Sequence, residues 1–564
     1  MVRFQRFAAH SRVPALISAL AFAIGFFNIA SNTFRKFRGP TGAVERYVSV
    51  FLNSTAFATA LFTGLVLILL SKALRRRKKR AWRVAVIMLL LNLASELFRF
   101  HFHPTQVFFS TFLLLVLFFF RDEFYAVSDP TTKFRPLYIF IFSFIFFLII
   151  GILFFYLRHS ADVIGNPTFS EVALTVLSGF VWISGPISLS SKIAQDTMEL
   201  VLGLFGFLIF LMPLGAFFRR VKSLPVSSEE EKTRIVQLVE KFGDSDSLAF
   251  FATREDKSTV WSENLKAGIA YRVENGVMLA SGDPFGEYSV WADAISAFLK
   301  KAEEHGWTPA VMGASERGGK LWIEHAGLSA IEIGDEAIVH VDEYSLEGHA
   351  MSNVRQTINR ARRQGYVCEV KEVSELTQEQ IKEISQKAQN WRGGASERGF
   401  SMSMDRFLGE LDSKAVLTLG YLDSQLVSFL YFVPWGKVGL SLDRMQRDPH
   451  ISQGITELLI DTAVEYASER KIRYISLNFA AFRSVLERAE KINAGPVLRS
   501  IRWLVQFSSG WFQVESLYRF NAKFHPEWQP RYLLHPGIGE LSSVIWAALK
   551  AEKFISGFGR RKVK

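Results

Sequence analysis

Residues 136–156 read PLYIFIFSFIFFLIIGILFFY, an apolar run that contains no charged side chain. An α-helix needs about 20 consecutive apolar residues to cross the hydrocarbon core of a bilayer. The run therefore predicts a membrane-spanning helix. The 52 Phe residues of this 564-residue chain agree with a membrane segment of this kind.

Similar apolar runs occur throughout the first 222 residues. They lie at Val13–Phe34, Val50–Leu70, Trp82–Leu97, Pro104–Phe120 and Met198–Phe218. Together they predict an N-terminal membrane domain, residues 1–222, with about six transmembrane helices. A further stretch, Phe169–Leu189, is amphipathic and interrupted by Gly185 and Pro186, so we interpret it as re-entrant or interfacial, with a seventh span as the alternative.

The distribution of Lys and Arg predicts the orientation of these helices, because basic residues concentrate on the cytoplasmic side. Residues 75–80 read RRRKKR and lie between the second and third runs. Basic residues also precede the first run and follow the last, whereas those at 35–38 conflict with this topology. Six spans place both termini, and everything after residue 222, in the cytoplasm.

The charges of the two parts of the chain differ in sign. Residues 1–222 contain 24 Lys and Arg against 9 Asp and Glu, and the remaining residues contain 42 against 45. The basic character of the whole chain therefore belongs to the membrane domain, where cations meet anionic lipid head groups. It does not indicate that the second part binds nucleic acid, and any such binding would depend on local patches.

The chain after residue 222 predicts an α/β fold, because short strand-like runs alternate with helical ones. Predicted strands include Leu248–Thr253, and predicted helices include Leu346–Gln364 and Ser403–Leu411. The length allows two units, predicted at 223–350 and 351–545, followed by a basic tail at 546–564. The single cysteine, Cys368, excludes an internal disulfide and a multi-cysteine metal site.

Two segments carry residues suited to anionic substrates. Asp443 follows a predicted strand with Arg447 beside it, where a carboxylate can orient an amine or accept a hydroxyl proton. Gly454 opens a predicted helix, whose N-terminal N–H groups can bind an anion. Arg355, Asn359 and Arg362 share one helical face that suits RNA or lipid phosphate, although a solvated face explains them equally well.

The run Glu515–Tyr532 interleaves aromatic and cationic side chains, a mixture that can stack a planar ligand and neutralise phosphate. A C-terminal strand and turn held by aromatic packing is the alternative. Asp283 lies in the segment Ser281–Gly286, which predicts a sharp turn. It is more typical of a residue that caps the following element than of a ligand-binding group.

Several short motifs keep a fixed order between Ser245 and Pro536. They are Gly282-Asp283-Pro284-x-Gly286, Ile333-Gly334-Asp335-Glu336-Ala337, Arg355-Gln356-x-x-Asn359-Arg360, Leu442-Asp443-x-Met445, Ser476-Leu477-Asn478-Phe479-Ala480 and Tyr518-x-Phe520-x-x-Lys523-Phe524-x-Pro526. This order resembles the catalytic domain of the phosphatidylglycerol lysyltransferase family, which includes the multiple peptide resistance factor. The residues of these motifs most resemble those of the actinobacterial branch of the family. Some of its members carry a fused lysyl-tRNA synthetase, which we expect to be absent here.

The resemblance implies two tandem GNAT (acetyltransferase-like) folds after a multi-pass helical membrane domain. It implies transfer of an amino acid, lysine first, from aminoacyl-tRNA to the glycerol hydroxyl of phosphatidylglycerol. Such an ester exchange needs no cofactor or metal. The product would reduce the negative charge of the cell membrane and give resistance to cationic peptides.

The resemblance also implies roles for individual residues. Asp443, Arg447 and Lys523 would be catalytic, with Lys523 meeting a phosphate or the developing oxyanion. The family usually shows Asp-x-x-Arg, whereas Gln446 occupies the fourth position here, which puts the role of Arg447 in question. The expected substrate-binding residues are Asp283, Arg355, Asn359, Gly454, Asn478, Glu515, Tyr518, Phe520 and Arg531.

Other functions stay open at this point. The acceptor could be diacylglycerol, the amino acid could be alanine, or the chain could be a non-catalytic membrane sensor or a lipid flippase. We expect a plasma-membrane location with a cytoplasmic catalytic domain. The expected partners are aminoacyl-tRNA, phosphatidylglycerol or a related lipid, the membrane itself and a possible second copy of the chain.

Overall fold

The computed structural model describes residues 12–33, 62–71, 73–75, 77–97, 104–124, 135–159, 163–180, 185–217, 228–392, 399–451, 454–479 and 517–553. The chain divides into two compact units, residues 1–221 with the short stretch 304–306, and the rest of residues 222–564.

The first unit is helical in its described part. A helical segment at 62–71 accompanies helices α1 (Arg12–Thr33), α2 (Lys79–Leu97), α3 (Pro104–Phe119), α4 (Arg135–Phe154), α5 (Phe169–Gly179) and α6 (Lys192–Phe217). The apolar runs predicted from the sequence coincide with helices wherever they are described. Among the described residues, only Leu137–Leu157 and Ile193–Pro213 are both long and apolar enough to cross a membrane.

The exposed side chains of α4 are those expected of a helix that faces lipid. Phe142 is 72% exposed and Ile149 is 60% exposed, although both are fully apolar. Helix α5 is different, because its 11 residues cover only about 16 Å at 1.5 Å per residue. It begins at Thr168, which forms a capping box with Glu171. Its length is too short for a span.

The second unit is built on one continuous sheet. Its strands are β1 (Ser258–Trp261), β2 (Ala267–Glu274), β3 (Val277–Ser281), β4 (Phe285–Gly286), β5 (Thr308–Ala314), β6 (Ser329–His340), β7 (Val367–Glu372), β8 (Val416–Leu422), β9 (Gln425–Trp435), β10 (Gly439–Arg447), β11 (Tyr474–Phe479) and β12 (Glu527–His535). The order across the sheet is β1-β2-β3-β5-β12-β6-β11-β10-β9-β8-β7, and β4 pairs with β2. The prediction of an α/β fold is confirmed.

The sheet repeats one arrangement twice. Antiparallel strands β1 to β3 are followed by β5, which pairs parallel to β3, and antiparallel strands β7 to β10 are followed by β11, which pairs parallel to β10. This repeat is the tandem acetyltransferase-like order that the resemblance implies. The two halves also exchange strands, because β12 pairs with β5 and β6, while β6 pairs with β11.

Because of the strand exchange, the predicted subdomain boundary at residue 350 does not separate the two halves of the sheet. Strand β12 and helix α13 (Ile538–Ala551) follow residue 350 in sequence but belong spatially to the first half of the sheet. Val544 and Ala548 of α13 pack in the same core as Leu279 and Ala310. The predicted tail at 546–564 therefore begins inside a buried helix rather than after the fold.

Helices cover both faces of this sheet. They are α7 (Glu229–Phe242), α8 (Trp291–His305), α9 (Glu316–Ala326), α10 (Ser352–Arg363), α11 (Gln378–Arg392), α12 (Ile455–Glu469) and α13. Two predictions of local structure were wrong. The predicted strand Leu248–Thr253 is a buried 3-10 helix at Ala249–Thr253, because a short apolar run has no period that separates the two structures. The predicted helix Ser403–Leu411 is irregular and ends in a 3-10 turn at Glu410–Asp412.

Candidate functional site

Strands β10 and β11 separate from each other and leave a gap in the sheet. Their parallel pairing covers only Gly439–Ser441 and Tyr474–Ser476. Beyond these residues β10 continues beside β9, and β11 continues beside β6. We call this opening the strand gap. Gaps at the carboxyl ends of parallel strands are common ligand sites in open α/β sheets, because backbone groups there lack strand partners.

Asp443 lies at the strand gap on a β-bulge. The register of β10 against β9 shifts between Leu442 and Arg444, which leaves Asp443 as the extra residue. A bulge of this kind re-aims a side chain out of the regular alternation. Asp443 Oδ1 accepts a hydrogen bond from Met404 N at 2.7 Å, and Oδ2 accepts one from Arg444 Nε at 3.2 Å. The side chain is fully enclosed.

Burial also changes the acidity of Asp443. It raises the pKa of this carboxyl to about 6, against the opposing charge of Arg444 and the hydrogen bond from Met404 N. The ionised and neutral forms of Asp443 therefore exchange near neutral pH. Because both oxygens contact the protein, the carboxylate positions Met404 and Arg444 in this conformation rather than meeting a ligand itself.

The arginine beside Asp443 is Arg444 and not Arg447, so the prediction that Arg447 lies beside this carboxylate was wrong. Arg447 lies at the end of β10, opposite Ser428 of β9. Arg444 instead donates to Arg406 O at 2.9 Å, and its guanidinium lies 4.8 Å from the ring centroid of Phe407. The bulge explains the difference, since it brings two consecutive side chains together.

Asn478 bridges the strand gap. Its Nδ2 donates to Leu442 O at 3.1 Å on β10 and to Met402 O at 3.2 Å. Its backbone has φ of +76°, a conformation that non-glycine residues rarely adopt and that Asn tolerates better than most. Asn478 therefore holds the two diverging strands at a fixed separation and ties them to the segment Gly399–Asp412.

The 399–412 segment covers one face of the strand gap. Phe400 N and Ser401 N donate to the carboxylate of Glu552, which follows helix α13. Arg406 donates to Asp412 Oδ1 at 2.7 Å and to Thr253 O at 2.7 Å. Buried contacts thus fix this segment at both ends and, through Asp443, in its middle.

The opposite face of the sheet carries the predicted anion-binding residues. Helix α12 begins at Gly454, whose φ of +118° belongs to the left-handed region. Lys523 Nζ lies 2.8 Å from Oε1 of Glu457, in the first turn of α12. Leu442, Leu477 and Phe524 share the core on this face. Lys523 is 47% exposed on its side chain, so its ammonium remains accessible to a ligand.

The predicted cationic face of α10 is largely engaged with the protein. Arg355 donates to Leu346 O and Gly348 O, and Arg362 pairs with Asp461 at 3.1 Å. Asn359 is exposed. Phosphate binding by this helix stays a prediction, and Asn359 and Arg362 are the exposed members of this face.

The aromatic residues of the C-terminal run pack mainly on one another. The rings of Tyr518 and Trp528 lie 4.7 Å apart between centroids, and Phe520 packs edge-on against Phe524 at 5.6 Å. These contacts favour the structural interpretation of the aromatics. Glu515, which was also predicted to bind substrate, lies outside the described residues.

Arg531 and Asp283 belong to a buried polar network in the first half of the sheet. Arg531 is 3% exposed and pairs with Asp246 at 2.9 Å and with Glu336. Asp283 accepts from Ser315 N at 2.9 Å, at the start of helix α9. Burial and repulsion from Asp246 raise the pKa of Asp283 to about 7. In this conformation both residues contact protein groups rather than an open pocket.

Three residues of this region were not predicted from the sequence: Arg444, Glu457 and Glu336. Glu336 offered a signal, since it directly precedes the apolar stretch Ala337–Val339, and a carboxylate that is buried with such a stretch needs a partner. Glu457 offered another, because an acid three residues after a helix-opening Gly454 suits the first turn. Arg444 offered none, since only the bulge brings it to Asp443.

Comparison with known proteins relates both units to characterised families. Residues 236–535 match the family described as phosphatidylglycerol lysyltransferase, C-terminal, and residues 9–218 match the one described as the transmembrane region of lysyl-tRNA synthetase. The lysylphosphatidylglycerol biosynthesis bifunctional protein LysX of Mycolicibacterium vanbaalenii is 41% identical over 362 residues, and that of Mycobacterium marinum is 40% identical over 366. In both cases the match covers 64% of this chain and 33% of the relative, so the chain spans about a third of the length of these relatives.

The solved structure of L-PGS from Bacillus licheniformis shares the fold of the second unit. It is 20% identical, with a TM-score of 0.50, and the match covers 59% of this chain and 99% of that one.

Proposed function

We propose that this chain, which belongs to the phosphatidylglycerol lysyltransferase family, transfers a lysyl group from lysyl-tRNA to the glycerol hydroxyl of phosphatidylglycerol. The observation that carries the proposal is the family match over residues 236–535, which includes both strands of the strand gap and the segment bearing Lys523. The names of the related LysX proteins, which refer to lysylphosphatidylglycerol biosynthesis, support lysine as the amino acid.

The reaction is an ester exchange. The lipid hydroxyl oxygen forms a bond to the aminoacyl carbonyl carbon, the bond from that carbon to the ribose oxygen of the tRNA breaks, and the hydroxyl proton passes to the ribose oxygen. Because the aminoacyl ester is already activated, the protein has to position two anionic substrates and stabilise the tetrahedral oxyanion.

The geometry supports a division of these tasks between the two faces of the sheet. Lys523, with its accessible ammonium near the N-terminus of α12, would contact a substrate phosphate or the oxyanion. Asp443 would act as a positioning residue, since it holds Met404 and Arg444 at the strand gap. Asn478 would keep the gap open to the reacting groups.

The first unit would anchor the enzyme and deliver the lipid. We propose about six membrane crossings, with the basic residues 75–80 and the catalytic unit in the cytoplasm, where charged tRNA is available. Esterification with lysine adds positive charge to an anionic lipid, so the product would weaken the attraction of cationic peptides for the cell membrane. Association with a second copy of the chain stays a prediction.

Lipid labelling tests the proposal. Membranes containing the full chain would be incubated with tRNA charged with radiolabelled lysine, in parallel with alanyl-tRNA, and the lipids extracted. We expect label in a lysyl form of phosphatidylglycerol. Label in diacylglycerol, or only with alanyl-tRNA, would replace the acceptor or the amino acid, and no labelled lipid with any charged tRNA would end the enzyme proposal.

A further inference from the structure

The carboxylate of Glu457 lies directly beside Lys523, an exposed cation of the candidate site. Its Oε1 accepts a hydrogen bond from Lys523 Nζ at 2.8 Å, and its side chain is only 8% exposed. The two residues come from distant parts of the chain, 66 residues apart. Glu457 belongs to the first turn of α12, whereas Lys523 belongs to the 3-10 turn Ala522–Phe524.

The position of Glu457 limits how its carboxylate can respond. Residues on both sides of it, Thr456 and Leu458, are buried, and a Cβ atom on Gly454 would come within 3.0 Å of Thr357 on α10. The start of α12 therefore packs closely against its neighbour. An acid in the first turn also interacts favourably with the helix dipole, which favours this position of the carboxylate.

Lys523 has freedom that Glu457 lacks. Its ammonium carries three N–H donors, of which one is directed to Glu457. Its side chain is 47% exposed, and Nζ lies 5.1 Å from the ring centroid of Phe520. Among the described residues only Glu457 accepts from this ammonium, so two donors remain for a ligand, but the charge of the ammonium is largely offset by the carboxylate behind it.

We propose that Glu457 is a positioning residue that holds Lys523 at the site and lowers the affinity of that lysine for a phosphodiester. This inference rests on the proposed function, and it assigns Glu457 the regulation of the anionic-substrate subsite. The phosphodiester belongs either to the lipid head group or to the 3′ end of the tRNA. Offsetting the charge allows the product, which keeps the phosphodiester, to leave after each transfer.

The test is a double-mutant cycle in the full chain, with Glu457→Gln, Lys523→Gln and the double variant. In Glu457→Gln we expect KM for one of the two substrates to fall about two- to fivefold, the range of a partly exposed ion pair. That KM should also depend more steeply on salt, and kcat should fall because the ammonium is no longer held. The substrate whose KM changes identifies the source of the phosphodiester.

Two variants on α12 separate charge from position. Glu457→Asp keeps the negative charge, so it should retain the wild-type KM while kcat falls. Glu469→Gln removes the same charge from the other end of the same helix, where the side chain of Glu469 is 77% exposed, and should leave both parameters unchanged. A merely structural role for Glu457 would reduce the active fraction of enzyme without altering KM or its salt dependence.

The Lys523→Gln background decides the inference. If Glu457 acts through Lys523, adding Glu457→Gln there should change KM by less than about 1.5-fold. The same comparison can be made without turnover. The full chain in neutral-lipid nanodiscs would be tested for its affinity for a non-hydrolysable lysyl-tRNA and for glycerophosphoglycerol. Unchanged affinities for both ligands in Glu457→Gln, or equal changes in both backgrounds, would overturn the inference. Wild-type enzyme without any transfer would end the proposed function instead.

Discussion

Arg531 of β12 and Glu336 of β6 form a buried ion pair where the two halves of the sheet exchange strands, with Arg531 Nε 2.9 Å from Glu336 Oε2. The second carboxylate oxygen of Glu336 accepts hydrogen bonds from Ser247 Oγ at 2.5 Å and from Ser476 Oγ. Ser476 is the last residue of β11 paired with β10 before the strand gap. The pair therefore connects the strand exchange to the candidate site.

Arg531→Met is expected to destabilise the second unit by about 3–5 kcal/mol, because it leaves the carboxylates of Glu336 and Asp246 buried without their cation. Denaturant unfolding of the full chain in detergent, followed by tryptophan fluorescence, measures this change. The matched control is Lys320→Met, which removes an exposed pair with Glu316 on α9 and should leave the stability almost unchanged. Equal effects of both variants would contradict the buried role of Arg531.

Lys523→Ala is expected to lower kcat/KM for lysyl transfer by about 10²- to 10³-fold, the size of effect seen when one donor to a developing oxyanion is removed. Initial rates of lipid labelling at varied lipid and tRNA concentrations measure it. Lys437→Ala is the matched control, because Lys437 is exposed in the turn between β9 and β10. A loss of less than threefold in Lys523→Ala, taken as roughly the effect of an exposed pair, would remove this residue from the catalytic machinery.

Transfer activity is expected to fall below about pH 6, tenfold for each further pH unit. The pKa of Asp443 is raised in the folded state, so its carboxylate becomes protonated as the pH falls through about 6 and loses the ability to accept from both Met404 N and Arg444. Stability changes in the opposite direction. Between pH 3.8 and about 6 the unfolded state releases the proton of Asp443 and the folded state keeps it, so the free energy of unfolding falls as the pH rises through this range.

Two variants test whether the protonation of Asp443 causes this pH dependence. Asp443→Asn should have low activity that no longer changes between pH 5 and 7, roughly the interval around the raised pKa. Asp283→Asn removes another buried carboxyl with a raised pKa and should keep the decrease at acid pH. If the decrease persists in Asp443→Asn and disappears in Asp283→Asn, the assignment to Asp443 is wrong.

Asn478→Gly and Asn478→Ala separate backbone conformation from the amide. Both variants lose the hydrogen bonds to Leu442 O and Met402 O and should lose most transfer activity. The φ of +76° at residue 478 is sterically unfavourable for alanine, which has a Cβ atom, but not for glycine. Asn478→Ala should therefore be less stable than Asn478→Gly by about 1 kcal/mol. Thermal unfolding in detergent compares them, and equal stability would mean that the φ of residue 478 carries no strain.

Local sequence patterns predicted much of the fold, because where a helix forms and where it begins depend largely on residues that are close together in the chain. The apolar run Pro136–Tyr156 became α4, and Gly454 begins α12 as predicted, since both signals act within a few residues. The exchange of β12 between the halves left no local trace, because strand pairing joins Arg531 to Gly334 almost 200 residues away. The short apolar run Leu248–Thr253 was assigned the wrong structure for another reason, because it is too short to show a period that separates a strand from a helix.

By itself the sequence determined the two-part organisation, the α/β class of the second part and the family. Apolar runs and ordered motifs indicate these features, and both can be recognised without coordinates. Tertiary structure decided which charges meet: Arg444 rather than Arg447 at Asp443, Glu457 at Lys523 and Glu336 at Arg531. The physical reason differs between these contacts. The bulge between β10 and β9 places Arg444 at Asp443, and the strand exchange places Glu336 at Arg531, whereas Glu457 and Lys523 are 66 residues apart in the chain and meet through tertiary packing. Composition and spacing report only which residues are available to pair.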